Sequence, residues 1–240
     1  LRLREQRQQR LRLRLLTHSA GPSDSPALRR GSFFRKDVQA MDLSSLRRAY
    51  TGHVPDLMGA RGGSAVLVPL VDTADGPSLL YEIRSATVRQ PNEVCFPGGK
   101  REPGETAIQC ALRETREELG IPESAVTVIG EMDFLYIRAG SLLRPVLGEV
   151  DPAAVAAMRP APEEVADTFL LPLRELRAHP PEVYAYQQPV AIPDFPYADA
   201  GVAAGYPWRP CRIEVPVYRG LPHPLWGITA RITMDVVDKL

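Results

Sequence analysis

The stretch Arg113-Glu114-Thr115-Arg116-Glu117-Glu118-Leu119-Gly120 sets three carboxylates at spacings of three and four residues. On a helix such residues are neighbours, and each like-charge pair costs roughly 0.2–0.5 kcal/mol. Arg113 can pair with Glu117, yet Glu114 still faces both Glu117 and Glu118. A divalent cation reverses the sign of that repulsion. Hard Mg2+ takes carboxylate oxygens, retains several waters and commonly bridges to phosphate groups. The cluster therefore reads as a cation site, against the competing account of a solvated charged face. Ala107 and Ala111 lie near the same face and leave little bulk over it, so a recess floored by carboxylates is expected.

Such groups need a helix with firm ends. Thr106 followed by Gln109 is a capping-box pair, and Gly120 stands where a left-handed cap belongs, which bounds a helix over 106–119. Ile108, Leu112, Thr115 and Leu119 then fall on one stripe, expected to face the core. Ahead of the helix, Pro97-Gly98-Gly99 and Pro103-Gly104 form a loop able to bring its backbone close to a bound group. SAVLVPLV (64–71) and LLYEIR (79–84) read as paired strands joined through Asp75-Gly76, and EVCFPGG as a short strand entering the glycine turn. VTVIGEMDFLYI, LLRPVLGEV, VADTFLLPL and CRIEVPVYR supply further strands. Helices are expected near 42–50, at 173–178 and over LWGITARITMDVVDKL. Strands and helices mix without steady βαβ alternation, which predicts an α/β fold with helices packed on a mixed sheet. Between 179 and 210, seven prolines and six aromatic residues interrupt every period. That segment is too aromatic for a plain linker and suits either a lid over the substrate or an arm that forms a homodimer.

The longer pattern is Gly99, five residues, Glu105, seven residues, then Arg113 through Ile121. It resembles the Nudix hydrolase signature at each specified position, with Thr115 where an aliphatic residue is usual. The resemblance implies an α/β/α sandwich around a mixed β-sheet and hydrolysis, by water, of a nucleoside diphosphate linked to a further group. It implies Mg2+ or Mn2+ held by Glu114, Glu117 and Glu118, with Glu105 assisting at or behind the metal. Arg113 becomes an orienting partner for carboxylates. The general base is then a signature glutamate or one from a later loop, where Glu149, Glu163 and Glu164 stand; Glu164 is preferred, and Glu149 reads as an ordinary surface residue.

Upstream, LLYEIRSATVRQPNEVCFPGGK resembles the extension found in the coenzyme A pyrophosphatase branch, through Leu79, Leu80, Arg84, Ser85, Arg89 and Phe96 to Gly99. The span from Arg89 to Phe96 is one residue shorter, and Asn92 stands in place of a glycine. PVLG at 145–148 and WGITARI at 226–232 carry the likeness over roughly residues 62–238. This resemblance implies that coenzyme A or acyl-coenzyme A is split into 3′,5′-ADP and the matching 4′-phosphopantetheine. Arg84 and Arg89 are candidates to grip the 3′-phosphate, because guanidinium groups meet phosphate through paired hydrogen bonds. Phe96, Gly98 and Gly99 are placed at the substrate, with Phe96 suited equally to the core, and Trp226 reads as a packing residue. Two other readings compete: a Nudix enzyme for ADP-ribose or NADH, and a catalytically inactive Nudix binding or regulatory protein. Retention of all four glutamates argues against the second.

Composition narrows the partners. With 240 residues and 44% apolar composition the chain can bury a full core, and one domain with some decoration is expected. The zero net charge hides an asymmetry, since residues 1–40 carry ten Lys and Arg against three Asp and Glu, leaving the remainder at −7. That acidic body offers no broad nucleic-acid footprint, so a small molecule is the expected partner. No apolar run reaches the roughly 18 residues of a membrane span, and no membrane is expected. Three cysteines, at 95, 110 and 211, have neither the count nor the spacing of a disulfide framework, and a reducing cytoplasm is the expected compartment. Residues 1–40 read as sequence upstream of a start at Met41, as a disordered basic arm, or as an Arg-rich transit peptide. Residues 41–240 read as the hydrolase domain.

Overall fold

The computed structural model describes residues 43–53, 58, 62–137, 141–190 and 192–240, so the basic stretch 1–40 lies outside the described residues. One unit of the chain ends at Pro55 and contributes helix α1 (Leu43–Tyr50); the second covers Asp56–Leu240.

In the second unit, β1 (Gly63–Val71), β2 (Ser78–Arg84), β3 (Val94–Cys95) and β4 (Gly98–Lys100) precede helix α2 (Ala107–Leu119). Then follow β5 (Val126–Glu131), β6 (Leu135–Ile137), β7 (Ser141–Val150), α3 (Pro152–Ala157), β8 (Val165–Pro172) and α4 (Leu173–Ala178). The chain closes with β9 (Glu182–Gln188), α5 (Tyr197–Ala200), β10 (Cys211–Tyr218), β11 (Leu225–Trp226) and α6 (Gly227–Asp238). The main sheet runs β3-β2-β1-β7-β5, with β4 added on β1, β6 on β7 and β8 on β2. β1 and β7 are parallel, with Ala65 opposite Arg144, and the other pairs in this sheet are antiparallel.

β1 is apolar almost throughout because both of its faces are covered. Ala65, Leu67 and Val71 join a cluster with Ala107, Cys110, Ala111 and Leu119 of α2. Val68 turns the other way, into a cluster with Ala230, Ile232 and Val236 of α6. The strand period of two thus divides one strand between two helical layers, giving the expected α/β/α sandwich. Tyr81 lies on the α6 side, stacked on Phe96 at 4.8 Å, with its hydroxyl 2.9 Å from Thr233 Oγ1.

Several elements lie beyond the sequence expectation, among them α3, β9, α5 and β11, the last where the closing helix was expected to begin. Helix α3 is a short turn capped by Asp151, whose carboxylate accepts from the Ala153 N–H at 2.8 Å. The segment 179–210 holds a full strand, β9, which pairs with β10 from Glu182–Val217 to Gln188–Cys211. The flanking prolines conceal that strand, because its partner lies more than twenty residues away and pairing is nonlocal. In the connection, Phe195, Tyr197, Tyr206 and Trp208 pack ring against ring at 4.9–5.2 Å. Trp226, expected to pack, is 46% exposed at the end of β11.

Candidate active site

Helix α2 forms where the capping pattern places it. Thr106 Oγ1 accepts from the Gln109 N–H, Gln109 Oε1 accepts from the Thr106 N–H, and Gly120 takes the left-handed conformation at φ 69°. Its buried stripe is Ala107, Cys110, Ala111, Thr115, Glu118 and Leu119. The alanines expected to line an open recess are core residues instead: their small side chains let the helix lie close against β1, while Ile108 and Leu112 pack at the margin of the same cluster. Thr115 is tolerated there because its hydroxyl donates to the Ala111 carbonyl at 2.7 Å. Glu118, three residues further on, shares this stripe and is 4% exposed. The glutamates are thus graded by helix geometry, with the Glu114 side chain 15% exposed and that of Glu117 50%.

The glycine loop meets this helix at β4, where Gly98 lies opposite Val66 and Gly99 opposite Ala65. The Gly98 N–H donates to Glu118 Oε2 at 2.7 Å. A side chain at Gly99 would run into the Glu114 carboxylate. Arg113 binds Glu105 through two nitrogens, Nε to Oε1 at 2.8 Å and Nη2 to Oε2 at 3.2 Å. It also reaches Glu114 at 2.8 Å, Glu117 at 3.0 Å and the Lys100 carbonyl at 3.3 Å. This hub holds the Glu105 carboxyl down at about 2. Burial instead raises Glu114, the pairing with Arg113 opposing it, and burial followed by the charge of Glu82 raises Glu118.

Glu82 of β2 was not among the residues singled out from sequence. It is 1% exposed, accepts from Cys95 Sγ at 3.0 Å through Oε1, and leaves Oε2 without a hydrogen-bond partner among the described residues. Burial raises its pKa, with the Cys95 hydrogen bond opposing and the charges of Glu164 and Glu114 adding. A glutamate inside the apolar strand Ser78–Arg84 was the available signal, since a buried strand interior seldom carries a charge without a reason.

The remaining candidates separate. Arg84 is half-buried; its Nε donates to the Arg89 carbonyl at 2.9 Å, and its charge acts on Glu82. Arg89 is exposed. Between them and β3, Asn92 takes φ 62°, a left-handed conformation that asparagine tolerates, so it fills the place of glycine. Phe96 is 3% exposed and stacked on Tyr81 in the core, in keeping with the packing role held open for it beside substrate contact. Glu163 and Glu164 are exposed, and the Glu164 charge acts on Glu82, Glu114 and Glu118. Glu149 is exposed on β7 opposite Thr127. A cleft of about 410 Å3 opens beside the loop, lined by Lys100, Arg101 and Arg144; the signature glutamates lie outside it.

Among the described residues no three acidic, thiol or imidazole groups converge into a ready-made ligand cage, because Arg113 and the Gly98 N–H hold the glutamates. The residues nevertheless fit a hard cation: Glu114, Glu117 and Glu118 offer only carboxylate oxygens, Glu118 is buried with Glu82 close enough to act on it, and Glu82 Oε2 is orphaned among the described residues.

The NUDIX domain model matches residues 62–192. The mitochondrial coenzyme A diphosphatase of Homo sapiens is 35% identical over 197 residues, covering 81% of this chain and 76% of that protein. The mitochondrial coenzyme A diphosphatase of Mus musculus is 32% identical over 199 residues, covering 82% of this chain and 86% of that protein. The peroxisomal coenzyme A diphosphatase of Mus musculus is 37% identical over 126 residues, covering 52% of each. The cytoplasmic address is corrected by these matches, since the first two relatives are mitochondrial. Unpaired cysteines speak only to redox state and do not name a compartment. The chain belongs to the Nudix hydrolase family.

Proposed function

We propose that the chain cleaves the diphosphate of coenzyme A or an acyl-coenzyme A, yielding 3′,5′-ADP and the matching 4′-phosphopantetheine. The observation that carries this substrate is the 35% identity to a coenzyme A diphosphatase over 81% of the chain. The names of the two mitochondrial relatives also support a mitochondrial site of action.

The carboxylates support the reaction class. Glu114, Glu117 and Glu118 would hold Mg2+ or Mn2+, which when bound neutralises diphosphate charge and lowers the pKa of water. The Gly98 N–H fixes one oxygen of Glu118 and leaves the other to serve the site. Arg113 positions Glu105, Glu114 and Glu117 together, so these acids keep their spacing without touching substrate. Glu164, exposed at the margin and acting electrostatically on the cluster, takes the proton of the attacking water. Arg84 lies close enough to Glu82 and Glu118 for their charges to act on it and would meet a diphosphate oxygen there, and exposed Arg89 reaches for the 3′-phosphate.

The test is a panel of coenzyme A, an acyl-coenzyme A, ADP-ribose and NADH at equal concentration, first with Mg2+ and then with Mn2+. Release of 3′,5′-ADP with the highest kcat/KM on a coenzyme A substrate is expected. Faster cleavage of ADP-ribose, or intact coenzyme A under both metals, overturns the proposal.

A further inference from the structure

The strand period places Glu82 on the same face of β2 as Leu80, which packs in the cluster with Ala111 and Leu119 of α2. Leu79 and Tyr81 point to the opposite layer. Glu82 therefore enters the interior from the sheet, towards the helix that carries Glu114 and Glu118. Its Oε1 is occupied by the Cys95 thiol at 3.0 Å, and its Oε2 is buried with no hydrogen-bond partner among the described residues. Leaving a buried carboxylate oxygen unsatisfied costs about 1–3 kcal/mol, more when charged. Cys95, opposite Glu82 on β3, holds the side chain in place while providing only a weak donor. Hydrophobic residues flank this position along the strand, so apolar packing does not require an acid there.

We infer that Glu82 is a further carboxylate donor of the cation site, supplied by the sheet in addition to the glutamates of α2. It lies sixteen residues upstream of Gly98, outside the signature pattern, and its Oε2 is the oxygen left to meet an ion. The inference rests on the reading of α2 as a cation site and adds a donor from a different element. The rival explanation is a proton shared between Glu82 and Glu118 with no ion involved.

The experiment measures Mn2+ affinity of the full chain by the electron paramagnetic resonance signal of free Mn2+, for the parent, Glu82→Gln and Glu118→Gln. Thermal unfolding is followed with and without Mn2+. Glu82→Gln is expected to weaken Mn2+ binding at least about tenfold and to shrink the Mn2+-induced rise in Tm, with no fall in Tm when metal is omitted. Parental Mn2+ affinity in Glu82→Gln, with Glu118→Gln impaired, overturns the inference, leaves the α2 site standing and favours the shared proton. Parental affinity in both variants overturns the inference together with the cation reading of α2. Should Glu82→Gln not fold, Glu82→Asp keeps the charge but withdraws the carboxylate by one methylene; weakened Mn2+ binding supports the inference and parental binding overturns it.

Discussion

Gly99→Ala should separate activity from stability. A Cβ at this position would lie 2.6 Å from Glu114 Oε2 and nearer still to Cδ and Oε1, and its three nearest neighbours all belong to that carboxylate. Ordinary contact begins near 3.4 Å, so the carboxylate must retreat by about 1 Å. A misplacement of about 1 Å can cost about 100-fold in rate, or about 2.7 kcal/mol of activation free energy. The stability cost is smaller, because only a side-chain end moves; an off-rotamer torsion costs about 0.5–1.5 kcal/mol. Gly98→Ala provides the contrast. Its Cβ would meet the main chain of β1, with Val66 Cα at 2.6 Å and the Ala65 carbonyl closer, in a strand bonded on both sides. Such overpacking costs about 1–3 kcal/mol or more. The assay pairs urea denaturation with turnover of coenzyme A in Mg2+. Turnover of Gly99→Ala within threefold of the parent, or a loss of stability equal to that of Gly98→Ala, refutes the reasoning.

Glu118→Gln should lose at least about 1,000-fold in turnover, because it removes the most buried carboxylate of α2. Its urea midpoint without added metal should not fall, since a neutral amide relieves the burial that raises Glu118 and can still accept from the Gly98 N–H. Arg113→Lys gives up the two-pronged grip on Glu105, whose carboxyl should then rise from about 2 toward its ordinary 4.5. A depressed acid contributes stability that is present above the unfolded pKa and lost as pH falls through the folded one. Urea titrations between pH 4.5 and pH 2 should therefore show a steeper decline for the parent than for Arg113→Lys. Tyr81→Phe removes the hydroxyl that sits 2.9 Å from Thr233, while Thr233 still donates to the Thr229 carbonyl. About 1 kcal/mol of stability should be lost in urea denaturation, with turnover unchanged.

Local chemistry was legible in the residues themselves. The capping box of Thr106 and Gln109, the left-handed Gly120, the apolar run of β1 and the spacing of Glu114, Glu117 and Glu118 each depend on neighbours within a few positions, so sequence alone located the helix and its acids. The resemblance carried by Gly99 to Ile121 likewise led to the family. Long-range pairing was not legible. The burial of Ala107, Ala111 and Phe96, the pairing of β9 with β10 and the entry of Glu82 into the helix-facing layer all depend on segments distant in the chain. A side chain's period says which residues share a face, but only packing decides which face is covered and which charge is left without water. Sequence thus determined the order of the acids along α2; the tertiary structure decided that Glu118 is buried, that Arg113 gathers its neighbours, and that Glu82 of β2 is buried on the helix-facing side of the sheet.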